Sequence, residues 1–148
     1  MTPEFLQTYK KEIDKALKGL MEELLEKDQS GTPLGEGMEK ALMAGGKRIR
    51  PVFCLLGGEA GGLLHESVMP FALALEMLHT YSLVHDDLPA MDDDSLRRGQ
   101  PTSHILYGEG QAILIGDALL THGAAQLLAP LPGIPPERQL KAAAEVLE

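Results

Sequence analysis

An all-α helical bundle is the fold class this sequence predicts, on three observations. Apolar residues recur at helical spacing in several long segments. Gly- and Pro-rich clusters punctuate those segments. No β signal, in the form of alternating apolar and polar residues, competes with them. At 148 residues the chain can form one domain with a substantial core. The expected architecture is about five or six helices with the most apolar ones central.

The first helix starts with Thr2 as N-cap, Pro3 at the first helical position and Glu4 in the first turn. Phe5, Tyr9, Ile13, Leu17, Leu20 and Leu24 then recur on one face to about Glu26. Asp28 to Gly35 reads as a loop, and Gly37 to Ala44 as a short helix stopped by Gly45-Gly46. Pro51 opens a helix through about Ala60, with Gly57-Gly58 and Gly61-Gly62 marking the loop after it. Glu66 to His85 is apolar on every side and is expected at the centre of the bundle. Pro89 ends that pattern. Gly99 to His104 reads as a loop, Glu109 to Leu128 as a second largely apolar helix, and Leu140 to Leu147 as the body of a last one begun at Glu137.

Composition narrows the function. Hydrophobic residues make up 44% and charged residues 24% of the chain, as in ordinary globular domains. The net charge of -9 argues against a nucleic-acid binder. There is no uninterrupted apolar run of membrane-spanning length, and Met1 to Phe5 lacks the basic-then-apolar pattern of a signal peptide. The one cysteine, Cys54, forms no internal disulfide and reads as a small core residue; a reducing cytoplasm is the expected compartment.

Two charged clusters stand out. Lys47, Arg48 and Arg50 lie on a glycine-hinged connection into a helix N-terminus, where backbone N–H groups and the helix dipole favour anions. Lys47 and Arg50, three apart, can face one anion; a solvated basic turn is the alternative. The second cluster puts five carboxylates, Asp86, Asp87, Asp92, Asp93 and Asp94, within nine residues, with Arg97-Arg98 just beyond. Carboxylates at a helix C-terminus are opposed by its dipole, and a bound cation would compensate. With Pro89 forcing a turn, Asp92 can swing back toward Asp86. Two carboxylates suit Mg²⁺, which shares its remaining positions with water and phosphate. Arg97 and Arg98 add forked donors for phosphate oxygens. His79, two turns or about 10 Å before Asp86 on the same face, is either a satisfied core histidine or a ligand in the same cavity. Asp117 is expected to hydrogen-bond a neighbouring helix, with proximity to the cation site as the other reading. No P-loop, zinc spacing or nucleophile–base motif is present.

Read together, Gly45-Gly46-Lys47-Arg48-Ile49-Arg50-Pro51, His79 through Asp94, and Leu96-Arg97-Arg98-Gly99-Gln100-Pro101-Thr102 resemble the trans-isoprenyl diphosphate synthases, or polyprenyl synthetases. The acidic run resembles that family's first aspartate-rich motif in its longer D-D-x-x-x-x-D form. The resemblance covers essentially residues 1–148, including Gly116-Asp117-Ala118-Leu119-Leu120, and is nearest to bacterial farnesyl diphosphate synthases. It implies an isoprenoid synthase bundle and a prenyltransferase that joins isopentenyl diphosphate to an allylic diphosphate by Mg²⁺-assisted ionisation. It implies that Asp86 and Asp92 bind Mg²⁺ with Asp87 close by, and that Arg97 holds the allylic diphosphate. Lys47, Arg50, His79 and Arg98 would hold isopentenyl diphosphate. Tyr81 and Ser82, just upstream of the acidic motif, would set product length. An aromatic there resembles farnesyl (C15) synthases, whereas the small Ser82 would not block elongation, so a geranylgeranyl (C20) synthase is the runner-up. Gln100 and Ser95 depart from the family's frequent Lys and Asp, and neither is a carried-over ligand.

The family's chains extend further and carry a second aspartate-rich motif that this sequence lacks. The uncapped stop at Glu148 is therefore expected to be a truncation within the fold, leaving an N-terminal half with an exposed apolar seam. This chain alone is expected to be inactive, as a fragment or as one half completed by another chain, and the full-length form to be a homodimer. A non-catalytic subunit pairing with a full-length synthase is the alternative of another class. A class I terpene cyclase is a third, opposed by the Gly46–Arg50 turn and His79.

Overall fold

The computed structural model describes residues 4–27 and 33–148; the Thr2 cap, Pro3 and the Asp28–Thr32 part of the expected loop lie outside them. In chain order the elements are α1 (Glu4–Lys27), α2 (Pro33–Met43), α3 (Ile49–Ala60), α4 (His65–Asp86), β1 (Leu96–Arg97), β2 (Gln100–Pro101), α5 (Ser103–Tyr107), α6 (Glu109–Leu128) and α7 (Pro136–Leu147). The all-α expectation holds, with seven helices among the described residues.

Helix α4 is the axis of the bundle. Val68, Ala72, Leu73, Ala74, Met77, Thr80 and Val84 bury side chains on several sides of it, because α3, α6, α1 and α2 all pack against it. Its most extensive partner is α6, and small residues make that approach possible. At Gly123 a Cβ would lie 3.2 Å from the Leu78 side chain, and at Gly116 it would lie 2.0 Å from the His85 ring. On α1, Ile13, Leu17 and Met21 form one buried stripe at four-residue spacing. They join Leu42, Leu55, Met77, Ile115 and Leu119 in the main core. Full burial of each such side chain contributes about 1.5–3 kcal/mol. A smaller cluster of Ala74, Leu127 and Ala143 seats α7.

Several expectations are corrected. Helix α4 is, among the described residues, long and apolar enough to cross a membrane by length and composition, with a mean hydropathy of 1.2; its packing on four helices is that of a bundle's core helix. Helix α2 starts at Pro33, not Gly37, since Pro is favoured in a first helical turn. Helix α3 starts at Ile49 and contains Gly57-Gly58. The segment read as a loop from Gly99 holds β2 and α5. β1 and β2 pair antiparallel, Leu96 with Pro101 and Arg97 with Gln100. Arg98 (φ 53°) and Gly99 (φ 77°) form the tip, the positive-φ pair that a tight two-residue hairpin requires.

Candidate anion and cation site

The acidic motif begins where α4 ends. The Asp87 N–H still donates to the Leu83 carbonyl, whereas Leu88 closes a tighter bond to His85. Pro89 lies in the turn that follows, and the Asp92 N–H donates to the Asp86 carbonyl (2.8 Å). This return brings the Asp92 backbone onto the end of α4, as the spacing predicts. Asp86 is half-buried, and Asp92, Asp93 and Asp94 are exposed.

Asp87 behaves differently from its neighbours. It is buried, and Arg97 grips it from the hairpin: Nε donates to both carboxylate oxygens (2.8 and 2.9 Å) and Nη2 to Oδ1 (2.6 Å). Those hydrogen bonds, above all, raise the Arg97 pKa beyond its ordinary value. Asp87 is thus occupied with orienting Arg97.

Among the described residues no three His, Cys, Asp or Glu side chains converge as a metal cage. The donors on offer, the half-buried Asp86 and the exposed Asp92, are hard carboxylate oxygens on residues whose backbones are bonded to each other. That chemistry fits Mg²⁺, which keeps several waters and is held by one or two carboxylates plus phosphate oxygens.

The basic cluster forms one wall of a cavity of about 400 Å³, lined by Gly46, Lys47, Arg48, Ile49, Arg50, Glu76, His79 and Arg98. Lys47, Arg50, His79 and Arg98, which the sequence singled out from three separate stretches, are therefore brought together. Lys47, Arg50 and Arg98 are exposed and His79 is half-buried. Burial, then the charges of Arg50, Arg98 and Arg97, lower the His79 pKa below 6.5, with Glu76 opposing. Gly46 is needed for this geometry: a Cβ there would lie 2.7 Å from Arg98 Nη1 and 2.9 Å from its Cζ. The bare backbone lets the guanidinium lie against the turn.

Arg48, read with Lys47 and Arg50 as one of three cations on the turn, points inward instead. It is buried among Asp14, Glu76 and the Leu42 carbonyl. The sequence reading missed Asp14 and Glu76; a lone acid in the middle of an apolar helix was the available signal for Glu76.

A second cavity of about 430 Å³ lies beside the first and shares Arg98 with it; Thr80, Leu83, Val84, Asp87 and Arg97 also line it. Tyr81 and Ser82 line neither cavity. Tyr81 stacks edge-on against His85, centroids 5.8 Å apart, and Ser82 Oγ donates to the His79 carbonyl (2.9 Å). Asp117 does not hydrogen-bond a neighbouring helix: its side chain is 59% exposed and sits 3.9 Å from His85 Nε2, which donates to the Ile113 carbonyl (3.1 Å). Cys54 is half-buried, and desolvation pushes its thiol up to about 11, so it offers no nucleophile at neutral pH.

A family profile described as polyprenyl synthetase matches residues 32–147. The chain is 47% identical over 132 residues to a geranylgeranyl diphosphate synthase of Cyanophora paradoxa, covering 87% of this chain and 44% of that protein. It is 45% identical over 140 residues to a farnesyl diphosphate synthase of Geobacillus stearothermophilus, covering 93% and 46%. An FPP/GFPP synthase from Zymomonas mobilis superposes with a TM-score of 0.85 at 32% identity, covering 96% of this chain and 51% of that one. The chain spans about half the length of these relatives or less.

Proposed function

This chain belongs to the polyprenyl synthetase family, and from that premise we propose that it carries half of a trans-prenyltransferase site. The whole enzyme condenses isopentenyl diphosphate with dimethylallyl or geranyl diphosphate to give farnesyl diphosphate. The observation that carries this reading is the gathering of Lys47, Arg50, His79 and Arg98 on one cavity, with His79 on the same helix that ends in Asp86.

Lys47, Arg50, Arg98 and His79 hold the diphosphate of isopentenyl diphosphate. Arg97, oriented by Asp87, holds the allylic diphosphate, and Asp86 and Asp92 would hold Mg²⁺. When bound, the metal offsets the charge that develops on the departing diphosphate. Loss of diphosphate leaves an allylic cation, the isopentenyl double bond attacks it, and a proton is lost. No side-chain nucleophile is required. The apolar interior of the completed bundle keeps water from the cation. The enzyme is cytoplasmic and works as a homodimer in its full-length form, and this chain is inactive without the remainder of the fold.

Product length is the finer part. Tyr81, five residues before Asp86, lines neither cavity formed by this chain; the C15 reading assigns it, from its position before the acidic motif, to the floor of the product cavity of the whole enzyme. A C20 product is the second reading, favoured by the geranylgeranyl diphosphate synthase among the relatives. The test is Mg²⁺-dependent incorporation of labelled isopentenyl diphosphate onto geranyl diphosphate, with products resolved by length. It is run on this chain alone and with a supplied C-terminal half. C15 product only in the mixture is expected, lengthening in Tyr81→Ala. No product in either arm, with metal-dependent diphosphate binding intact, moves the assignment to a non-catalytic subunit.

A further inference from the structure

Arg48 stands between two exposed cations and is the one that turns away. Its φ of 52° is left-handed, a conformation a residue with a side chain adopts only when its surroundings enforce it. The enforcement is visible. Arg48 Nε donates to Asp14 Oδ1 (2.8 Å), Nη1 to Glu76 Oε1 (2.7 Å) and Nη2 to the Leu42 carbonyl (2.7 Å). The side chains of Arg48 and Glu76 are 1% and 4% exposed. Burial disfavours the guanidinium's charge, but Glu76 and Asp14 together hold its pKa above the ordinary value. Lys10 pairs with Asp14 from the preceding turn of α1, so two cations balance two carboxylates.

We infer that Arg48, Asp14 and Glu76 are positioning residues for the anion cradle. They pin the left-handed turn so that Lys47 and Arg50 are held at a fixed spacing from His79. Glu76 lies one turn before His79 on α4 and lines the same cavity, so the bond that anchors the turn is referenced to the helix that carries the fourth ligand. Asp14 belongs to α1, which precedes the span 32–147 matched by the family profile. A helix outside that span thereby reaches the substrate site through one carboxylate. The inference rests on the cradle being a diphosphate site.

Charge alone and positioning predict opposite signs, which makes the inference testable. Deleting a carboxylate near an anion site strengthens anion binding through charge; deleting an anchor weakens it. The full chain is titrated with inorganic diphosphate without Mg²⁺, with NMR of the backbone amides of residues 47–50 alongside. Asp14→Ala is expected to raise the dissociation constant about tenfold and to shift those resonances. Asp14→Asn, which keeps the Oδ1 acceptor, is expected to recover part of the loss, and it remains informative if the alanine variant folds poorly. Lys10→Ala, which touches Asp14 but not Arg48, should move neither readout. Wild-type or tighter binding in both Asp14 variants, with binding abolished in Lys47→Ala/Arg50→Ala, overturns the inference and leaves the diphosphate site standing. No binding by the wild type, or undiminished binding in the Lys47→Ala/Arg50→Ala variant, overturns both.

Discussion

The acidic turn after α4 and the basic turn before α3 are built alike and anchored differently. Each is a short run of like charges in which one residue is turned inward, Asp87 in the first and Arg48 in the second, while neighbours stay at the surface. Asp87 is held by Arg97, ten residues on and across the β-hairpin. Arg48 is held by Asp14, 34 residues before it, and Glu76, 28 residues after it. The acidic turn is thus a local device, and the basic turn is tied to three helices. In both, the buried member spends its charge inside the protein: Asp87 orients Arg97, and Arg48 ties the basic turn to Asp14 and Glu76.

If that division is right, substitutions in the two turns should fail in different ways. The largest effect on chemistry is expected at the exposed carboxylates. In the completed enzyme, Asp86→Ala or Asp92→Ala should lower Mg²⁺-dependent turnover by about a thousandfold or more; near-normal rates would remove the metal assignment. The largest effect on folding is expected at the buried anchors. Glu76→Ala removes the buried partner of the Arg48 guanidinium, leaving it Asp14 and the Leu42 carbonyl, and should cost about 3 kcal/mol of stability in urea unfolding. Asp87→Ala should cost less, about 1–2 kcal/mol, because the Arg97 side chain is 32% exposed and water can solvate it. The reverse order would contradict the distinction between local and three-helix anchoring.

A smaller effect sharpens the comparison through pH. The His79 pKa is lowered by burial and by cationic neighbours. Folding therefore leaves this base less protonated than in the unfolded chain. The sign follows: its contribution to stability is complete above about pH 6.5 and declines as pH falls below that, until the folded pKa is passed. A bound anion acts the other way and favours the imidazolium. Diphosphate binding should take up a proton and tighten severalfold between pH 8 and pH 6. NMR titration of the His79 ring with and without inorganic diphosphate checks this; a pKa that stays put on binding would place the anion elsewhere.

How much of this was legible in the sequence depended on how local the cause was. Helix α6 has the expected limits and α4 is longer by one residue at each end, because their long apolar segments leave little ambiguity. The return of Asp92 to Asp86 was legible too, since Pro89 forces a turn within a few residues. The hairpin was not: strands of two residues carry no alternation, and its signal was only an Arg-Gly pair able to take positive φ. The start of α2 was hidden because Gly35 and Gly37 read as breakers. In the fold they are points of close contact, with Leu25 and Ile115 lying where a Cβ would be. Among the site residues, spacing pointed to Lys47 and Arg50 with a solvated basic turn as the alternative, and His79 and Arg98 joined them as a set only through the family resemblance; the fold gathers all four on one cavity. The inward turn of Arg48 was not legible, because its partners are distant in sequence and charge patterning carries no information about such pairs.

The central claim is that the two turns hold different things, metal at the acidic one and anion at the basic one. Calorimetric titration of inorganic diphosphate with and without Mg²⁺, on the wild type and two double variants, tests it most directly. Asp86→Ala/Asp92→Ala should lose the Mg²⁺-dependent gain in affinity and keep the metal-free affinity, whereas Lys47→Ala/Arg50→Ala should do the opposite. Loss of both components, or of neither, in either double variant would contradict the account.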